Sequence, residues 1–191
     1  MLVFLRERNE LTQKQFAEAA GYSERLISKA EAGQPISTNV IDDLAEALST
    51  DADPVFPEDL ITNPVKHAKE YIAAVYSEGE GVVDAIAHFL DENIVFRVTG
   101  DPAQIPFAGE HHGIEGMRRM FSIFFSILEA PQGHNHEQHY NFIAQGKEVI
   151  MTGESWIHPI GLPMENLIRL AHRFVFHRGC LLYTSPSPRD S

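Results

Sequence analysis

Five polar residues crowd one short run, GYSERLISKAEAG, between Gly21 and Gly33: Ser23, Glu24, Arg25, Ser28 and Lys29. An arginine can bond a guanine edge bidentately, a glutamate can accept from cytosine, and serine or lysine can meet phosphate. A second set could do acid/base work. Ile168, Leu170, His172, Phe174 and Phe176 alternate on one strand face. Ile150, Thr152, Glu154, Trp156 and His158 are expected to share one face of a second strand. His172, Glu154 and Trp156 are then the polar groups offered to an interior, with His172 or Glu154 as general acid or base. A third set, GHNHEQH, suggests metal. His134 and His136 would share a strand face, but His139 would face away and no acid stands at Tyr140 or Asn141. Neither a metal nor another cofactor is expected. Glu110–Gly113, EHHG, fits a loop.

Each set needs elements to hold it. Thr12 and Gln15 have the spacing of a capping box, with Leu11 and Phe16 at the flanking apolar positions, so a helix starts at Thr12. Gly21 ends it with a positive φ, and Ser23 caps the next helix. Gly33 and Pro35 end that one, and a further helix through Leu48 buries Val40, Ile41, Leu44, Ala45 and Leu48. Ala17 suits a close crossing and Ile27 an inward anchor, which leaves Glu24, Arg25, Ser28 and Lys29 outward.

The segment LTQKQFAEAAGYSERLISKAEAG, with VIDDLAEAL after it, resembles the XRE family, the phage repressor and Cro type of helix-turn-helix. The resemblance covers Leu2 to about Ser49. It implies that Gln13 contacts a phosphate, that Glu24, Arg25 and Lys29 read bases, and that Ser23 and Ser28 lie beside the DNA backbone. Family members carry several more residues before the position of Met1, so the first helix reads as clipped.

Residues 51–63 carry Pro54 and Pro57 with several acids, a linker composition that divides domain 1–50 from domain 64–179. From Pro64 helices come first: one with Val65, Ala68, Ile72 and Val75 inward, a short one over 82–90, and an apolar one from Gly113 to Leu128. Strands are expected at Ile94–Val98 and over about 136–145, 147–158 and 166–178. That order predicts an α+β cone, helices packed on a curved antiparallel sheet, behind an all-α first domain.

The stretches AIAHFLDENIVFRVTG, FAGEHHGIEGMRRMFSIFF, YNFIAQGKEVIMTGESW and NLIRLAHRFVFHRG, in that order, resemble the SnoaL-like, nuclear-transport-factor-like family. The resemblance implies an apolar pocket, here lined by Phe96, Phe121, Trp156, His172 and Phe174. In the ketosteroid isomerase branch a catalytic aspartate stands where this chain has Arg97, an obligate cation that cannot be a general base. The tail CLLYTSPSPRDS, 180–191, resembles adapter-derived translations that end some metagenomic reading frames, so the last strand is expected to be missing and the tail non-native or disordered.

Charge and composition bound the rest. The 191 residues hold 15 Lys+Arg against 27 Asp+Glu, a net charge of −12. That opposes a long non-specific grip on nucleic acid, but not a small reading element. Residues 1–50 carry five cations against eight acids, so two copies in a homodimer are expected to share the binding. The single thiol, Cys180, suits a reducing cytoplasm, and no apolar run reaches membrane-spanning length. The expectation is a cytoplasmic, sequence-specific regulator that binds double-stranded DNA and senses a small apolar ligand through its second domain. The alternatives are a SnoaL-like isomerase, cyclase or hydrolase with an accessory helix-turn-helix, and a purely structural dimerisation module.

Overall fold

The computed structural model describes residues 1–131, 139–163 and 167–188. Met1–Asn63 with Gln145–Lys147 form one compact unit, and the rest of the chain from Pro64 the other.

The first unit is helical: α1 (Leu2–Arg8), α2 (Gln13–Ala20), α3 (Glu24–Glu31), α4 (Thr38–Leu48) and α5 (Pro57–Ile61). Thr12 and Gln15 form the capping box, with Gln15 N donating to Thr12 Oγ1 at 3.2 Å and Thr12 N donating to Gln15 Oε1 at 2.9 Å. Gly21 closes α2 at φ 73°, and Ser23 Oγ accepts from Leu26 N to open α3. Leu5, Phe16, Ile27, Leu44 and Leu48 are fully buried together.

The stretch 51–63, expected as a linker, is folded into this unit instead. Val55 joins its core at 5 % exposure, and Val55 N donates to Ser49 Oγ at 2.8 Å. Pro57 opens α5, where Phe56 N donates to the Asp59 carboxylate at 3.1 Å. Pro57, one of the two prolines that read as a linker, serves as a helix start.

The second unit begins with α6 (Pro64–Ser77) and the short α7 (Val82–Ala85). Strand β1 (Leu90–Val98), β2 (Gly109–His112) and α8 (Gly113–Ile127) follow. Then come β3 (Leu128–Glu129), β4 (Tyr140–Gln145), β5 (Glu148–Ser155), β6 (His158–Pro159), β7 (Ile168–His177) and β8 (Cys180–Pro188). Six strands make one mixed sheet in the order β2-β1-β8-β7-β5-β4, and β3 pairs with β6 in a small ribbon. The sheet is antiparallel except where β8 runs parallel to β1 among the pairings described. Its inner face packs on α6 and α8 through Ala68, Tyr71, Met117, Met120, Phe121, Phe174 and Phe176.

Two expectations require correction here. The last strand is present: Cys180–Pro188 forms β8 between β1 and β7, where a disordered tail was expected. Arg178 and Gly179, at φ 49° and 76°, make a two-residue turn of the kind that joins antiparallel strands, and Leu181 and Thr184 are fully buried beyond it. The run Tyr183-Thr184, aromatic then β-branched, carries the strand despite the Ser/Pro composition after it. Strand β5 also presents the opposite face from the one expected. Val149, Met151, Ser155 and Ile157 point inward, so Glu154 and Trp156 lie on the outer face. Both sets of alternating positions in this strand carry apolar residues, which left its phase open.

Burial of the inner set fixes that register, and ion pairs on the outer face accompany it. Arg173 meets Glu148 with two bonds of 3.0 and 2.6 Å, and Arg169 Nε lies 3.4 Å from Glu154 Oε1. A one-residue slip would break both and turn His172 and Phe174 outward.

Candidate functional site

In the first unit, α3 buries Ile27 completely and exposes Ser23, Glu24, Arg25, Ser28 and Lys29. Ser23 is occupied as the helix cap. The side chains of Glu24, Arg25, Ser28 and Lys29 make no hydrogen bond or ion pair with any described residue. Gly21 permits the sharp turn that presents this edge, and no atom would obstruct a side chain there.

Gln13 is held differently. Its Nε2 donates to Glu31 Oε2 at 2.6 Å, and Arg6 Nε donates to Glu31 Oε1 at 2.5 Å. Burial opposes ionisation of Glu31, but the bonds from Arg6 and Gln13 prevail and hold its carboxyl below the usual range. The first residue of α2 is thereby pinned to the last residue of α3.

In the second unit a cavity of 390 Å³ opens between the helices and the inner face of the sheet. Helix α6 contributes Tyr71, Ile72, Val75 and Tyr76, and α8 contributes Met120, Phe121 and Phe124. The sheet adds Phe96, Tyr140, Met151 and His172. Of the residues expected to line it, Phe96, Phe121 and His172 do. Phe174 is wholly buried beneath the cavity wall, stacked on His172 with ring centroids 4.1 Å apart. Trp156 is a correction: it sits on the outer side, its ring edge-on to His139 at 5.0 Å. Glu154 likewise faces outward beside Arg169, so it and His172 cannot act on one substrate atom. Arg97 projects from the outer face of β1 toward Glu110 at 3.1 Å.

No Asp, Glu, Lys or Arg lines the cavity among the described residues. Its titratable groups are His172, Tyr71, Tyr76 and Tyr140. Burial pushes His172 down to about 3, so the ring is neutral near pH 7. Its Nε2 is hydrogen-bonded to Thr184 Oγ1, and the rings of Tyr71 and Phe96 meet it edge-on. Burial pushes the Tyr71 and Tyr140 phenols up, for Tyr140 with help from Tyr76. Tyr140 and Tyr76 share a hydrogen bond of 2.7 Å, and Trp156 N donates to the Tyr76 hydroxyl at 3.1 Å.

Sequence reasoning passed over Tyr71, Tyr76 and Tyr140. Tyr71 lies three residues after Ala68 and Tyr76 four after Ile72, both helix-face spacings. That period was the signal available, but the apolar stripe was drawn through Val65, Ala68, Ile72 and Val75 alone.

The histidines His134 and His136 lie outside the described residues. Among the described residues, no three His, Cys, Asp or Glu side chains converge as a metal site, and no helix is long and apolar enough to cross a membrane.

Two helices joined by a tight glycine turn, the second capped and outward-facing, define a helix-turn-helix, and helices covering one face of a curved sheet over a cavity define an α+β cone. Residues 4–55 match the family model described as a helix-turn-helix domain. The remainder has the NTF2-like fold. It superposes on an NTF2-like protein from Burkholderia xenovorans with TM-score 0.51 and 16% identity, over 66% of this chain and 88% of that one. An NTF2-like protein from Burkholderia pseudomallei gives 0.52 and 11%, over 67% and 92%. A protein with a cystatin-like fold from Xanthomonas campestris gives 0.53 and 15%, over 68% and 92%. No functionally curated protein matches the chain. The chain thus joins a helix-turn-helix domain to a domain of NTF2-like fold.

Proposed function

We propose that this protein is a sequence-specific transcriptional regulator. Its helix-turn-helix reads double-stranded DNA, and its NTF2-like domain senses a small apolar ligand. The observation that carries the reading is the exposed edge of α3. The side chains of Glu24, Arg25, Ser28 and Lys29 stand outward without partners among the described residues, on a helix anchored by a wholly buried Ile27. Side chains at the start of a second motif helix reach base edges when that helix enters the major groove.

Affinity is the weaker side of the design. Eight acids against five cations in residues 1–50 leave little counterion release to draw on. A homodimer on two half-sites supplies what one copy lacks. The cavity, almost wholly apolar and lined by aromatic rings, supports ligand binding. A ligand that fits one arrangement of the dimer better shifts the population able to span two half-sites. A cytoplasmic location accompanies this role. Catalysis is the weaker reading, because Glu154 and His172 lie on opposite faces of the sheet.

Binding-site selection on random duplex DNA with the full chain tests the proposal. The expected product is a short palindrome. Recovery of no enriched sequence at low salt overturns it.

A further inference from the structure

The Asp59 side chain in α5 is only 2 % exposed, and the one cation it meets among the described residues is Lys147. Lys147 Nζ lies 3.0 Å from Asp59 Oδ2 and donates to the Pro54 carbonyl at 3.2 Å. The same Asp59 oxygen accepts from Phe56 N at 3.1 Å. One ammonium group thus holds both ends of the short segment that carries Val55 into the core.

Lys147 belongs to the stretch Gln145–Lys147 at the tip of β4 and β5. These three residues are part of the first unit, although the rest of both strands is not. A second observation seats them there. Gly146 stands at φ 61°, and a Cβ added to it would run into the ring of Phe4, which packs on the core of the first unit. Only glycine allows so close an approach of the turn.

The route from this turn to the reading helix is packed throughout. Val55 N donates to Ser49 Oγ at the end of α4, and Leu44 and Leu48 of α4 are buried with Ile27 of α3.

Residues 1–63 by themselves bury the Asp59 carboxylate without its counter-charge. A buried acid stripped of its partner is strongly destabilising, because nothing then offsets the loss of its hydration. We propose that the 145–147 turn is a clip that completes the helix-turn-helix unit, which resists opening only while Lys147 sits on Asp59. The clip is the tip of the β4–β5 hairpin, so the pairing of those strands decides whether it is offered. This goes beyond the reading of α3 as a DNA-binding element and does not depend on it.

The test is hydrogen exchange followed by mass spectrometry on the full chain, with Lys147→Met alone and combined with Asp59→Asn. The single variant leaves the acid buried and unpaired. The double variant removes both charges and keeps an oxygen for the Phe56 N–H. In Lys147→Met the amides of α2, α3 and α4 are expected to exchange roughly tenfold to a hundredfold faster, while those of α6 and α8 stay within about threefold. The double variant should recover most of that protection. A single variant too unstable to fold, with the double variant folded, supports the clip equally. Unchanged protection of α2, α3 and α4 in Lys147→Met overturns it, and so does an equal loss in α6 and α8. Equal loss in the single and double variants also overturns it, since the turn would then act without its charge. None of these readouts uses DNA, so failure of α3 as the reading element is a separate result.

Discussion

The Gln13 amide donates to Glu31 at 2.6 Å, so the start of one motif helix is tied to the end of the other. Arg6 reaches the same carboxylate from α1, and the Arg6 and Glu31 side chains are only 11 % and 7 % exposed. Three helices therefore converge on one acid. Loss of Glu31 strands a largely buried guanidinium.

Glu31→Ala is expected to destabilise the first unit by about 2–4 kcal/mol. Gln13→Ala is expected to cost about 1 kcal/mol, one hydrogen bond to a charged acceptor. Urea denaturation of the two variants checks the order. Equal costs would mean that Arg6 contributes little to the junction.

Arg25→Ala and Lys29→Ala leave the fold intact, because both side chains are exposed and unengaged. Each is expected to weaken binding to a selected operator by roughly tenfold to a hundredfold if it meets a base, and by less, with a shallower salt dependence, if it meets only phosphate. Fluorescence anisotropy across a salt series separates the two. Unchanged affinity in both variants would sink α3 as the reading element.

Gly21→Ala introduces no clash, since nothing lies within 4 Å of the position of its added methyl. The cost is conformational, about 1 kcal/mol for an alanine held at φ 73°. Ile27→Ala removes a fully buried side chain and is expected to cost about 2–4 kcal/mol. A larger penalty at Gly21 than at Ile27, measured by thermal melting, would contradict this division.

His172 supplies a pH dependence with a definite sign. Burial pushes the folded ring down to about 3, whereas the unfolded ring titrates near 6.5. The unfolded state therefore binds the proton more readily between those values. The stability of the neutral ring is complete above about 6.5 and is lost as pH falls toward 3. Between pH 7 and 4 the loss is about 3 kcal/mol. His172→Phe should remove that part of the acid sensitivity, and parallel decline in the two proteins would refute it.

The first unit was largely legible in its sequence because its signals are local. Thr12 with Gln15, Gly21, Ser23 and Ile27 each act within a few residues, and the helices fall where those positions put them. The sheet was harder, because phase and pairing depend on partners far along the chain. Residues 149 to 157 alternate apolar groups on both faces, and the facing is decided by packing far along the chain: Val149 and Met151 are fully buried, while Glu148 and Glu154 pair outward with Arg173 and Arg169. Phe96, Phe121 and His172 were legible as cavity residues from alternation and helical period. The tyrosines were not, because a phenol on a helix stripe looks like core until the space beside its hydroxyl is seen.

The position of β8 bears on how the chain is made. It is synthesised after every strand it joins, and it inserts between β1, some ninety residues earlier, and β7. Residues 1–63 can therefore begin to fold while translation continues, whereas the sheet stays divided until its central strand has left the ribosome. The bare flanks of β1 and β7 are in the meantime open to other chains, and this is the stage at which a chaperone would matter most to this protein.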